Sequence, residues 1–299
     1  MPAANASRLA GVCHIMITPL RPDQSLDEEG IARVVSAAAA DGVSAVVPLA
    51  IMGEAHKLLD VERRAVLDAV VSAAAGAIAV VAGISAESTY VAAARAREAA
   101  AAGVDYLMMA PPRNSVLGAG LVGHYAEVAA ATSLPLVVQD EPVTTGVRLP
   151  PDFFAQVAEI PAVVAAKVEE APSPQKISAI SGAAPGLACF GGLGGVSFFE
   201  ELGRGAAGTM TGFGFPRVLV DVHRAFVAGE HEKAREIFYH YLPLIRFEAQ
   251  LGVGGVAIRK RLFAERGLIA NAAEREPSHF VDADTTRELR ELIHILQLA

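Results

Sequence analysis

Tryptophan is absent from this 299-residue chain, cysteine occurs only twice, and only five residues are lysine. Two cysteines cannot build the disulfide framework that holds small secreted domains together. Cys13 and Cys189 both lie inside apolar runs, which reads as free, buried thiols of a reducing cytosol. Positive charge is scarce: 25 Lys and Arg stand against 33 Asp and Glu, for a formal net charge of −8. Nucleic-acid backbones select basic surfaces, so such partners are not expected. Residues 1–11 lack a basic stretch followed by an apolar one, so no signal peptide and a cytoplasmic location are expected. The uncharged stretch Ala69 to Ala86 has about the length of a minimal membrane span. It is rich in Ala, Ser and Gly, and Gly76 divides it into a helix end and a strand, so no membrane segment is expected.

The chain is otherwise 53% hydrophobic and alternates in character. Short β-branched runs recur at Val12–Thr18, Val43–Leu49, Ile78–Ala82, Val104–Met109, Leu136–Gln139, Ala162–Val168, Leu187–Phe190 and Ala206–Thr211. Alanine-rich stretches between them carry apolar residues at helical spacing, as at Ile31, Val34, Val35 and Ala38. Ser25 with Glu28 has the form of a capping box, Asp60 can cap the helix from Val61, and Pro150-Pro151 opens a helix through Val157. Gly42 and Gly103 stand where helices end. Continuous apolar strands alternating with helices specify a parallel sheet, and eight such units suit an α/β fold of the (β/α)₈ TIM-barrel type. From Pro216 onward only helical patterns remain, at Asp221–Val227, Glu232–Arg246, Val256–Arg266 and Thr285–Leu296. The expected organisation is a catalytic barrel over 1–215 and a C-terminal helical extension over 216–299 packed on it.

Barrel enzymes build their sites at the C-terminal ends of the strands. Of the five lysines, Lys57, Lys176, Lys233 and Lys260 fall in helical or loop contexts where a solvated ammonium is the ordinary outcome. Lys167 instead follows Ala162-Val163-Val164-Ala165-Ala166 and ends a buried strand. It could snorkel outward, or its amine, withdrawn from water, could attack a ketone to form an imine. Strand side chains alternate, so Glu169 faces the same side as Lys167 and could move a proton beside it. Glu170 reads as the start of a solvated loop.

The series Thr18-Pro19-Leu20, Gly53-Glu54, Pro111-Pro112, Asp140-Glu141-Pro142 and Lys167 resembles the dihydrodipicolinate synthase / N-acetylneuraminate lyase family, in order and over nearly the whole chain. The resemblance implies a barrel with a helical C-terminal extension and a lyase that forms a Schiff base between Lys167 and pyruvate or a related 2-oxo acid. It further implies no cofactor and no metal, a small-molecule 2-oxo acid as partner, and a homo-oligomer, tetramer or dimer. Several positions depart from the family's pattern. Ala50-Ile51-Met52-Gly53-Glu54 stands where Gly-Thr-Thr-Gly-Glu is common, so both hydroxyls that hold the substrate carboxylate are missing. Gln139 stands at the proton-shuttling tyrosine, Thr144 at the synthase's substrate-binding arginine, and Arg113 and Asn114 at its paired tyrosines. Gln139-Asp140-Glu141-Pro142, Lys167-Val168-Glu169, Gly208-Thr209-Met210-Thr211-Gly212 and Leu242-Pro243-Leu244-Ile245 resemble the 2-keto-3-deoxy-L-arabonate dehydratase branch. There the carboxylate two residues after the lysine acts as acid and base.

The resulting expectation is dehydration of a 2-keto-3-deoxy sugar acid with Lys167 and Glu169 catalytic. Backbone amides around Met52 and Gly53 and the side chain of Gln139, with Asp140 beside it, would orient the carboxylate. Glu54 would position a substrate hydroxyl or cap the neighbouring helix. Gly191 and Gly192, in the run Gly191-Gly192-Leu193-Gly194-Gly195, suit close backbone approach to a ligand or tight-turn packing. Specificity would lie in loops carrying Met52, Arg113, Thr144 and Gly194. Gly203-Arg204-Gly205-Ala206-Ala207-Gly208 matches a dinucleotide-binding pattern but precedes a strand instead of following one. The eight histidines show no metal spacing, and His56, near the expected barrel mouth, reads as solvated or capping. Other outcomes are a pyruvate-dependent aldolase or synthase-like carbon–carbon lyase, and a non-catalytic 2-oxo-acid-binding protein.

Overall fold

Each short apolar run becomes a strand because its residues are buried on both faces, which continuous Val, Ala and Met sequences satisfy and alternating ones do not. The computed structural model describes residues 9–249, 255–278 and 281–298. Strands β1 (Gly11–Ile15), β2 (Ala45–Val47), β3 (Ala79–Gly83), β4 (Tyr106–Met109), β5 (Leu136–Asp140), β6 (Val163–Val168), β7 (Ala188–Gly191) and β8 (Gly208–Thr211) pair in parallel in chain order. β8 returns to β1, so the sheet is a closed eight-stranded TIM barrel. The expected runs are all present, with ends shifted by a few residues where turns begin.

Around the barrel lie α1 (Glu28–Asp41), α2 (Asp60–Ala74), α3 (Thr89–Ala102), α4 (Ala119–Ala129), the single turn α5 (Pro142–Thr145), α6 (Pro151–Ala158), α7 (Ser173–Ala183) and α8 (Phe198–Leu202). They are followed by α9 (Pro216–Val227), α10 (His231–Ala249), α11 (Gly255–Glu265) and α12 (Ala283–Ile295). α9 packs on β1 and α1, and α10 packs on α9 and carries α12. Among the described residues no helix is long and apolar enough to cross a membrane. Two caps differ from expectation. Asp27, not Ser25, caps α1 by accepting the Gly30 N–H at 3.0 Å, because Ser25 is drawn back to the Asp23 carboxylate. Asp60 is the first residue inside α2, and Glu62 accepts the Leu59 N–H at 2.8 Å. Gly42 and Gly103 end their helices at φ 82° and 89°, the left-handed conformation that glycine takes without strain.

Two layers of side chains divide the core. Cys13, Ile15, Val47, Met108, Val137, Ala165, Phe190 and Met210 fill the barrel, while Val46, Leu107, Val138, Ala166 and Val168 face the helices. Period-two alternation therefore decides which residues of each strand reach the interior. Both cysteines are buried free thiols.

Three of the four lysines expected in solvent are held elsewhere. Lys260 is 0% exposed and pairs with Glu54, Lys57 pairs with Glu54 at 3.0 Å, and Lys176 meets Asp140 at 2.7 Å and also Glu170. Glu170 is thus paired with Lys176 and Arg148 instead of freely solvated, because Lys176 of α7 reaches both it and Asp140. Burying a charge is costly unless it is paired, so each of these lysines has a carboxylate against it.

Three buried carboxyls have the opposite tendency. Burial pushes Asp140 up to about 6, against the pull of Lys176, and lifts Glu201 and Glu248 to about 7. Glu54 differs: burial alone would raise it, but Lys260 and the hydrogen bonds from both lysines hold it below the usual range. A carboxyl raised on folding stabilises fully below its unfolded value, near pH 4, and loses that contribution as pH climbs through its folded value. A carboxyl lowered on folding contributes above about pH 4.5 and loses its contribution as pH falls further. Taken alone these carboxyls place the stability maximum near pH 4.5 with a loss toward about pH 7, while His14, His56, His124 and His223, which burial holds below the usual histidine range, add stability as pH rises to about 6.5. Glu201→Gln removes one of the raised carboxyls, so the melting temperature of this variant relative to wild type should increase between about pH 4.5 and 7, and a difference that stays constant over that range would show that Glu201 ionises without cost.

Candidate active site

β6 ends in Lys167-Val168, and its neighbour β5 ends in Gln139-Asp140, with Gln139 in register with Lys167 and Asp140 with Val168. Alternation continues from Ala165, an interior residue, to Lys167 and then Glu169 just past the strand. Lys167 Nζ lies 2.9 Å from Glu169 Oε2, and their side chains are 5% and 14% exposed. Gln139 Nε2 donates to the same oxygen at 2.8 Å. One carboxylate oxygen thus receives both an ammonium and an amide, fixing its direction toward the barrel axis.

The glycines of β7 make this possible. A Cβ on Gly192 would overlap Cγ of Glu169 and lie 2.8 Å from its Cδ. A Cβ on Gly191 would collide with the buried Glu201 carboxyl, which accepts the Ser173 hydroxyl at 2.6 Å. The close approach expected at Gly191 and Gly192 is therefore to these two carboxylates, and neither glycine lines the cavity.

A cavity of about 180 Å³ opens above the lysine. Ile15, Met210 and Lys167 line it from the strands, and Gln139, Glu141, Val143 and Thr144 from the segment after β5. Ala50, Ile51 and Met52 come from the segment after β2, and Leu193, Gly194, Thr211 and Gly212 from the segments after β7 and β8. Ala249 of α10 and Arg259 of α11 complete it, so the C-terminal helices contribute to the cavity wall as well as packing on the barrel.

Lys167, Glu169, Gln139 and Met52 thus share one cavity, whereas Asp140, Gly53 and Glu54, like Gly191 and Gly192, stand apart from its lining. Asp140 faces the helix layer because it follows Gln139 on a strand, and Lys176 neutralises it there. Gly53 donates its N–H to Ala50 O at 3.0 Å, while its carbonyl accepts the Thr18 hydroxyl at 2.7 Å. That amide is consumed inside the turn and is not free to hold a carboxylate. Glu54 is 3% exposed and stands at the N-cap of the single turn Ala55–Lys57, but its side chain neither caps that turn nor reaches the cavity, since Lys57 and Lys260 take both its oxygens. His56 is exposed, and Arg113 is an exposed partner of Glu87 at 2.8 Å. Thr144 and Gly194 do line the cavity.

Arg259 was not visible as a site residue in the sequence. It lies in a helix far along the chain from the strands, and charged residues there read as solvent-facing. The available signal was electrostatic, because an acidic chain that handles an acid must supply local positive charge from arginine as well as lysine. Arg259 is 3% exposed, with Nε 3.3 Å from Glu248 Oε2 and Nη1 3.5 Å from the Met52 sulfur. Burial pulls Arg259 below the usual arginine range, and the Glu248 carboxylate opposes that shift. No group of three or more His, Cys, Asp or Glu among the described residues is placed to hold a metal ion.

Comparison with known proteins agrees with this architecture. Residues 8–296 match the family model described as the dihydrodipicolinate synthetase family. A 4-hydroxy-tetrahydrodipicolinate synthase of Methanothrix thermoacetophila is 34% identical over 241 residues, covering 79% of this chain and 80% of that one. An L-2-keto-3-deoxyarabonate dehydratase of Azospirillum brasilense is 29% identical over 302 residues, covering 97% and 95%. The crystal structure of a dihydrodipicolinate synthase from Rhodopseudomonas palustris superposes with a TM-score of 0.90 at 32% identity, covering 96% of this chain and 97% of that one. The chain therefore belongs to the dihydrodipicolinate synthetase family and is a lyase of that family.

Proposed function

We propose that this lyase dehydrates a 2-keto-3-deoxy sugar acid through an imine on Lys167, with Glu169 moving the protons. The observation that carries the reading is the 2.9 Å contact between Lys167 Nζ and Glu169 Oε2, held by Gln139. No tyrosine is among the described residues lining the cavity, and the Glu169 carboxylate is the acid–base group beside Lys167. The full-length similarity to a 2-keto-3-deoxyarabonate dehydratase supports the same substrate class.

The chemistry balances with these groups alone. The Lys167 ammonium gives two protons to the C2 carbonyl oxygen, which leaves as water, and its nitrogen bonds to C2 to leave an iminium. Glu169 takes a proton from C3, and that electron pair flows into the iminium to give an enamine. The enamine expels the C4 hydroxyl, which leaves as water with the proton that Glu169 returns. Water then hydrolyses the conjugated iminium, releasing an unsaturated 2-oxo acid and the lysine. Gln139 keeps the active Glu169 oxygen aimed at C3 and C4 throughout.

A carbon–carbon lyase reaction on the same imine is the second reading, favoured by the 34% identity to a synthase. Product analysis on a panel of 2-keto-3-deoxy acids separates the two: a dehydratase yields a new 2-oxo acid of unchanged carbon number, and an aldolase yields pyruvate. Glu169→Gln should leave imine formation intact and slow turnover by about a hundredfold or more. Unchanged turnover in that variant would remove Glu169 from the proton path. Gly192→Ala should displace the same carboxylate, and a misplacement of about 1 Å costs about a hundredfold in rate. If Gly192→Ala turns over at the wild-type rate, Glu169 does not need the position it occupies.

A further inference from the structure

We propose that Arg259 binds the C1 carboxylate of the 2-oxo acid, adding from α11 a charged donor to the backbone amides of the segment after β2. The inference rests on the reading that Lys167 meets a 2-oxo acid, but it concerns a different part of that acid. A carboxylate entering a buried cavity exchanges its water for fixed donors, and without them it does not bind. Several donors near this cavity are already committed, and the backbone N–H groups that remain carry no charge. The Gly53 and Glu54 N–H groups close the turn onto Ala50 O and Ile51 O, both at 3.0 Å. Ile51 and Met52 have no donor in their side chains. Gln139 Nε2 is bound to Glu169, and the Thr144 hydroxyl is turned to Glu141.

Arg259 is the one guanidinium among the described residues lining the cavity. Its Nη1 has a thioether as its hydrogen-bond partner, 3.5 Å away, and sulfur of this kind accepts weakly. Its Nε faces Glu248 at 3.3 Å without forming a hydrogen bond. Space is reserved around the group: a Cβ on Gly255 would come within 2.8 Å of Nη1, one on Gly212 within 3.6 Å of Nε, and one on Gly194 within 3.7 Å of Nη2. Glu248, held by the Gly214 N–H at 3.0 Å, anchors the base of the guanidinium and leaves its outer fork for a ligand. A planar fork of this kind matches a carboxylate with two parallel hydrogen bonds, which a lysine cannot reproduce.

Oxamate tests the assignment, because it carries the carboxylate of a 2-oxo acid but cannot form an imine. Its binding therefore stays measurable even if the Lys167 reading fails. Two variants guard against misfolding: Arg259→Lys keeps a cation for Glu248, and the double variant Arg259→Gln/Glu248→Gln removes both charges together. Titration calorimetry should give a Kd for oxamate raised by about ten- to a hundredfold in each variant that retains cooperative unfolding, the loss expected for a charge-assisted hydrogen-bond pair. A wild-type Kd in a folded variant overturns the proposal, and so does failure of the wild-type protein to bind oxamate.

Discussion

An amine and a carboxylate 2.9 Å apart at the mouth of a closed barrel need continuous support, because each is stable there only while the other remains. Lys167 and Glu169 share a direction because two residues on a strand face the same side. Gln139 reaches the same carboxylate because β5 and β6 are neighbours in register. Gly192 leaves the volume that Glu169 fills, and Gly191 leaves that of Glu201. The site is thus a consequence of strand pairing and of two missing Cβ atoms, and loop conformation has little part in placing its central pair.

The C-terminal helices connect to this arrangement through adjacent residues of α11. Arg259 enters the cavity and pairs with Glu248, while Lys260 turns the other way and is buried against Glu54. Glu54 follows the turn that brings Ile51 and Met52 to the cavity, and it holds φ 51°, an uncommon conformation for a residue with a side chain. Its ion pairs with Lys260 and Lys57 keep that turn in place against α11. The helical segment therefore fixes one wall of the cavity and contributes to it a second cation beside Lys167 of β6.

The barrel was legible in the sequence because buried parallel strands read as uninterrupted apolar runs, and all eight are present. Lys167 and Glu169 were legible through alternation, a local rule. The outward direction of Asp140 follows from the same rule, applied from Gln139. The fate of Glu54, Lys176 and Lys260 was not legible, because each depends on a partner dozens to hundreds of residues away. Arg259 and the purpose of Gly192 were hidden for the same reason: a helix far along the chain and a neighbouring strand decide them, and neither leaves a local pattern.

The central claim is that Lys167 is the residue that bonds to substrate. Borohydride reduction in the presence of pyruvate, followed by peptide mass analysis, tests it directly. The account predicts one reduced pyruvyl adduct, on Lys167 and on none of Lys57, Lys176, Lys233 or Lys260. An unmodified Lys167 under conditions that saturate the cavity would contradict it.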